Sequence, residues 1–224
     1  MSLKNIAKMK TDGKKIDALI FDLGGVLIDL DLEKCKRAFA ERLSYNGIDM
    51  LLDAFHQKGI YSDLEEGLIS ADEFRSRILA GSAPGCTAED VDEAVFALLV
   101  GVRPYKFALL TELAKSYDLY LLSNTNPISM IKCYRLFEEA GYPMDRMFRK
   151  LFLSYQMKMQ KPSERIFRTA VEETGCTPDR VLFIDDSAAN VEGAEKAGLN
   201  AMLFNQEDNL ETALKMKLEE LGQC

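Results

Sequence analysis

Four runs along the chain are apolar without polar alternation: "ALIF" (Ala18–Phe21), "LYLL" (Leu119–Leu122), "LFLS" (Leu151–Ser154) and "VLFI" (Val181–Ile184). A strand wetted on one face alternates, so uninterrupted runs of this length predict strands buried on both faces, as in a parallel sheet. A fifth run, "AMLF" from Ala201, follows a helical pattern that stops near Gly198. Helix starts fall between the runs. Asn126-Pro127 reads as an N-cap with proline at the first helical position, and Pro162-Ser163 opens another helix. In that second helix Ile166, Phe167, Ala170 and Val171 share one face. The alternation predicts an α/β fold with a mostly parallel sheet.

Residues 31–103 depart from this rhythm and read as helices only: "LEKCKRAFAERL", "DMLLDAFHQ", "ADEFRSRIL" and "AEDVDEAVFALL". Ser70 with Glu73 forms a capping-box pattern before the third, and Gly81 to Gly85 a loop before the fourth. Arg103-Pro104 marks the return to strand–helix alternation. The expected division is therefore an extension over 1–16, a core from 17–30 and 104–224, and a helical insertion over 31–103. The first 17 residues carry five lysines and no apolar stretch like a signal peptide.

Composition narrows the classes. With 47% apolar and 29% charged residues the chain reads as an ordinary soluble globular protein. A net charge of −8 argues against non-specific nucleic-acid binding, which needs Lys and Arg to neutralise phosphates. No run approaches the ~18 apolar residues of a membrane span. Five scattered cysteines and one histidine, His56, make a Cys/His zinc site improbable and fit a reducing, cytoplasmic setting. Oligomeric state is not legible.

The strand ends carry the chemistry. In an open parallel sheet, ligands bind beyond the carboxyl ends of the strands. The first run ends in Asp22, the second in Ser123-Asn124-Thr125, and the fourth in Asp185-Asp186, while Lys161 precedes the helix after the third. Singly, each is an ordinary turn or surface residue. Together they suit a phosphate ester with a small oxygen-loving cation such as Mg²⁺, which takes one or two carboxylates plus phosphate and water. Such a cation neutralises acids that would repel a dianion. Ser123, Asn124 and Lys161 would hold phosphate oxygens, and Asp22 could attack phosphorus. Gly24 and Gly25 would let main-chain groups approach the ligand.

The motifs "FDLGGVL", "LLSNT", "QKP" and "VLFIDDSAANVEGAEKAG" resemble those of the haloacid dehalogenase superfamily, particularly its phosphatases, over nearly all the chain after residue 17. Within it the combination is similar to bacterial sugar-phosphate phosphatases acting on α-D-glucose-1-phosphate, and to phosphatase-like domains fused to some epoxide hydrolases. The resemblance implies a Rossmann-like core with a small helical cap. It implies Mg²⁺ held by Asp22, the Gly24 carbonyl and Asp186, with Asp185 and Asn190 behind them. Asp22 would be the nucleophile of a phosphatase acting on a small phosphorylated metabolite through an aspartyl-phosphate, and Ser123, Asn124 and Lys161 would bind the phosphoryl group.

Gly24 departs from the pattern. Most phosphatases of the superfamily carry an aspartate there as general acid–base, a function typically worth ~10²–10⁴-fold in rate. Either the leaving group departs with little help, as an anomeric sugar oxygen or an acyl phosphate would, or a cap residue or water does the job, with Glu65, Glu66 and His56 as candidates. Two other readings stand beside the phosphatase. A metal-free dehalogenase would leave Asp185 and Asp186 without purpose, and a non-catalytic binder of a phosphorylated ligand or protein would explain Gly24.

Overall fold

The computed structural model describes residues 16–48 and 59–222. The extension up to residue 15, the helix expected over 49–57 and His56 lie outside the described residues.

The chain opens with β1 (Ala18–Phe21), β2 (Ile28–Leu30) and α1 (Leu32–Leu43), then α2 (Ile60–Glu65), α3 (Ala71–Ala80) and α4 (Ala88–Phe96). It continues through β3 (Leu99–Val102), α5 (Pro104–Leu113), β4 (Asp118–Ser123), α6 (Pro127–Glu139) and α7 (Met144–Met147). Next come β5 (Lys150–Leu153), α8 (Ser154–Met157), α9 (Glu164–Thr174), β6 (Val181–Asp185), α10 (Ala188–Lys196), β7 (Asn200–Leu203) and α11 (Leu210–Glu220).

The main sheet is five-stranded and parallel, in the order β5-β4-β1-β6-β7. Its strands are the five apolar runs. They bury both faces with a period of two, as a pleated strand must. Leu19, Phe21, Leu119, Leu121, Leu182 and Ile184 enter one core cluster, while Ala18, Ile20, Tyr120, Leu122, Val181 and Phe183 enter the other. Each large side chain so buried contributes about 1.5–3 kcal/mol relative to exposure. Helix starts match their signals: Asn126 accepts from the Ser129 N–H ahead of Pro127, and Ser70 from the Glu73 N–H. A third cluster, with Cys35, Phe39, Tyr61, Phe74, Val91 and Val95, belongs to the helical segment and admits Ile128 from α6.

One expectation is corrected. Residues 31–103 are not helices only, because α4 stops at Phe96 and Leu99–Val102 is a strand. It pairs antiparallel with β2, Ile28 facing Val102 and Asp29 facing Gly101. A continuous apolar run, "VFALLVGV", hides the change from helix to strand.

This two-stranded ribbon joins the sheet to the helices, and it is tied by charge. Asp29 Oδ2 accepts from Arg103 Nε at 2.6 Å, and Asp29 Oδ1 from Lys106 Nζ at 2.9 Å. Lys106, fully buried, also donates to the Leu27 carbonyl at 3.3 Å. Burial works to raise the Asp29 carboxyl, but hydrogen bonds from Arg103 and Lys106 outweigh it and hold the group below its usual range.

Candidate active site

Sheet register alone brings the strand ends together. Phe21 is level with Leu121 on one side and Ile184 on the other, so Asp22, Ser123 and Asp185 emerge side by side. The Asp22 N–H still donates to the Ile184 carbonyl at 2.8 Å, which fixes its backbone before the chain turns away. That turn needs glycine at Gly25, where φ is +72°. A Cβ there would stand 2.0 Å from Asp186 Oδ2, so the bare backbone is also what admits the Asp186 carboxylate. Gly25→Ala should therefore displace Asp186 and lower divalent-cation affinity by about 10–100-fold, the usual effect of disturbing a ligand's support. Isothermal calorimetry with Mg²⁺ checks this, and unchanged affinity would refute the assigned fit.

Lys161 is the centre of the arrangement. Its Nζ lies 2.6 Å from Asp185 Oδ2, 2.8 Å from Asp22 Oδ1 and 3.0 Å from the Leu122 carbonyl oxygen. Burial would lower its pKa, but Asp185 and Asp22 outweigh that and hold it up to about 12. Asn124 fixes the lysine's main chain. Its Nδ2 donates to the Lys161 carbonyl at 3.0 Å and its Oδ1 accepts from the Lys161 N–H at 2.9 Å. The Asn124 side chain is thus committed to positioning Lys161.

Asp185 is fully buried, and its Oδ1 accepts from the Ser187 N–H at 2.8 Å and from Asn190 Nδ2 at 2.9 Å. With Lys161 on the other oxygen, both Asp185 oxygens are already engaged. Asp22 differs: its Oδ1 is buried and makes no aligned hydrogen bond, the ammonium lying close but off line. Burial pushes Asp22 up to about 7. Lys161 opposes this, while Asp185 and Asp186 add to it. Asp186, on the solvent side, is pushed up to about 6 by desolvation and by Asp185. Ligand oxygens of Asp22, Asp185 and Asp186 all lie within 4.8 Å of one another. Carboxylates so crowded, with a single ammonium shared between two of them, fit a divalent cation.

Gly24 bridges to Ile28 through the Gly25 N–H, 2.9 Å from the Ile28 carbonyl, and the Ile28 N–H, 2.8 Å from that of Leu23. The Gly24 carbonyl is left out of this exchange. On its other side, a Cβ at Gly24 would meet Leu30 Cδ1 at 3.0 Å. Gln206 pins Leu30 in place, its Oε1 accepting from the Leu30 N–H at 2.8 Å and its Nε2 donating to the Leu30 carbonyl at 3.4 Å. Ser123 is buried at the end of β4.

Sequence reasoning did not find Ser154. Its hydroxyl accepts from the Thr125 N–H at 3.0 Å and sits 2.7 Å from the Glu65 carbonyl. It thereby joins the Ser123-Asn124-Thr125 turn to α2. A serine ending an apolar run carries no such signal. Of the acid candidates, Glu65 is buried at this junction, Glu66 lies at the C-terminal end of α2, and His56 is outside the described residues.

A carboxylate at the end of a central parallel strand, paired with a buried lysine and facing further acids, is a strand-end site of a parallel α/β fold. The chain belongs to the haloacid dehalogenase-like hydrolase family, whose model matches residues 16–198. It is 37% identical over 184 residues to a D-ribitol-5-phosphate phosphatase of Bacteroides thetaiotaomicron, spanning 82% of this chain and 89% of that one. A family enzyme from the same organism, solved with magnesium and inorganic phosphate, superposes with a TM-score of 0.82 at 34% identity, covering 88% of this chain and 98% of that one. A family hydrolase from Porphyromonas gingivalis gives a TM-score of 0.83 at 35% identity, over 91% and 98% of the two chains. Among the described residues no helix is long and apolar enough to cross a membrane.

Proposed function

We propose that the protein is a Mg²⁺-dependent phosphatase of a small phosphorylated polyol or sugar, with Asp22 as nucleophile. The observation that carries this reading is the Asp22–Lys161–Asp185 arrangement beside Asp186, with the carboxylate oxygens of all three acids within 4.8 Å. The kinship with a polyol-phosphate phosphatase, and with an enzyme solved with magnesium and phosphate, supports the substrate class and the ion.

Asp22, Asp186 and the Gly24 carbonyl would hold the ion, while Asp185 and Asn190 orient its surroundings. Bound there, Mg²⁺ supplies charge neutralisation for the acids and the phosphate. The chain's own groups do the rest. Asp22 forms an aspartyl-phosphate as the ester oxygen leaves, and water then cleaves that acyl phosphate. Lys161, Ser123 and the Asn124 main chain face the phosphoryl oxygens, with the Asn124 side chain holding Lys161 still. Helices α1–α4 act as a cap over the strand ends, and the ribbon of β2 and β3 is its stem.

The test is phosphate release from a panel of polyol-5-phosphates, sugar-1-phosphates and sugar-6-phosphates, with Mg²⁺ or with chelator. Turnover of one class, abolished by chelation and restored by Mg²⁺, is the expected result. Phosphate analogues that bind while no substrate is turned over would instead mark a non-catalytic binder.

A further inference from the structure

We infer that Glu65, presented by α2, is the proton donor and acceptor that Gly24 does not provide. This rests on the phosphatase reading above. A polyol-phosphate leaves as a primary alkoxide, a poor leaving group that needs a proton as the P–O bond breaks. Position 24 offers no carboxyl, so a side chain elsewhere in the site wall is sought for that proton.

Glu65 meets the requirement on position. It is a carboxyl residue only 6% exposed, on a six-residue helix docked against the strand ends. Its carbonyl is held by Ser154, which also receives the Thr125 N–H, so the peptide of Glu65 is one side chain away from the proposed phosphate-binding turn. Further bonds fix the helix and the turn after it: Asn126 Nδ2 donates to the Tyr61 hydroxyl at 3.4 Å, Gln160 Nε2 to the Ser62 carbonyl at 3.4 Å, and Lys158 Nζ to the carbonyl of Gly67 in the turn. Asp22 and Lys161 both act electrostatically on the Glu65 carboxyl. Tyr61, on the same helix, is the other titratable group that feels it.

Its chemistry is also unclaimed. Among the described residues the Glu65 carboxyl forms no ion pair, because the nearby ammonium of Lys161 is occupied by Asp185, Asp22 and the Leu122 carbonyl. Burial, reinforced by Asp22 and only partly offset by Lys161, raises this carboxyl to about 8, the direction a proton donor needs.

The proton account closes over two steps. As an Asp22 oxygen bonds to phosphorus, the P–O bond to the alcohol breaks with its electron pair. That oxygen takes the Glu65 proton, leaving alcohol, aspartyl-phosphate and a Glu65 carboxylate. Water then attacks phosphorus while giving a proton to Glu65. The acyl phosphate P–O bond breaks back to the Asp22 carboxylate, releasing hydrogen phosphate and restoring protonated Glu65.

The test compares wild type with Glu65→Gln on two esters: a polyol-5-phosphate and p-nitrophenyl phosphate, whose nitrophenolate departs without a proton. Gln keeps the shape and the hydrogen bond from the Ser154 hydroxyl to the main-chain carbonyl, and equal thermal unfolding would show the fold intact. With the polyol ester, the first turnover should slow by about 10²–10⁴-fold. With the nitrophenyl ester, the first turnover should keep the wild-type rate and give a stoichiometric burst of nitrophenolate, followed by slow release of phosphate. Equal slowing of both first turnovers, or no slowing of either, would overturn the assignment while leaving the phosphatase reading intact. A wild type inactive on both esters would overturn the two together.

Discussion

Asp22→Asn should abolish phosphate release, by on the order of 10⁴–10⁶-fold, the scale of losing the nucleophile in a covalent hydrolase. The same substitution should not weaken the fold. Lys161 keeps Asp185 and the Leu122 carbonyl, and the charge removed is the one most crowded by its neighbours. The Asp22 pKa rises from 3.8 to about 7 on folding. A carboxyl raised in this way favours the native state at acid pH, and that contribution is lost as pH climbs through the folded value. Thermal unfolding in chelator between pH 5 and 8 should therefore show wild type losing ground to Asp22→Asn as pH approaches 7. A variant that stays active, or one less stable than wild type across that range, would remove Asp22 from the role assigned to it.

Asp29→Asn should be costly to stability although it lies away from the site. Lys106 is fully buried and has Asp29 as its carboxylate partner, so the variant leaves a buried ammonium against a neutral amide. Breaking a buried pair from one side costs about 3–5 kcal/mol. For a chain of this size that is on the order of 10 °C in Tm. Lys106→Met should cost less, because Asp29 keeps Arg103 and the apolar side chain suits the site. Asp29 titrates below its usual range when folded, so its contribution is present above the unfolded pKa and fades as pH falls through the folded one. The gap between wild type and Asp29→Asn should accordingly close in strong acid. A denaturant series at pH 7 and at pH 3 measures both effects, and a gap that persists unchanged at pH 3 would contradict the ion-pair account.

The main sheet was legible because its strands are buried on both faces and so announce themselves as unbroken apolar runs. The strand-end residues stood out only jointly, because the ends of several neighbouring strands carry polar groups of complementary chemistry, while any one of them reads as a turn residue. What stayed hidden depends on partners distant in sequence. β2 is three residues long and β3 continues an apolar helix, so neither has a pattern of its own, and their pairing spans more than sixty positions. The commitment of Asn124 to the Lys161 main chain joins residues 37 apart, and Ser154 reaches Glu65 across 89. Motifs name the residues that do chemistry. They do not name those that hold the chemistry in register.

The contact between Gly24 and Leu30 bears on how this active centre can change by mutation. A carboxyl restored at position 24 by a single substitution would press on leucine methyl groups whose backbone Gln206 pins from two sides. Its charged form would be penalised by that apolar neighbour. The nearest atom is the end of a leucine side chain, so an aspartate at position 24 needs that side chain to yield by a few tenths of an ångström while its backbone stays held. Leu30 is thus the residue whose replacement would open position 24 to a side chain.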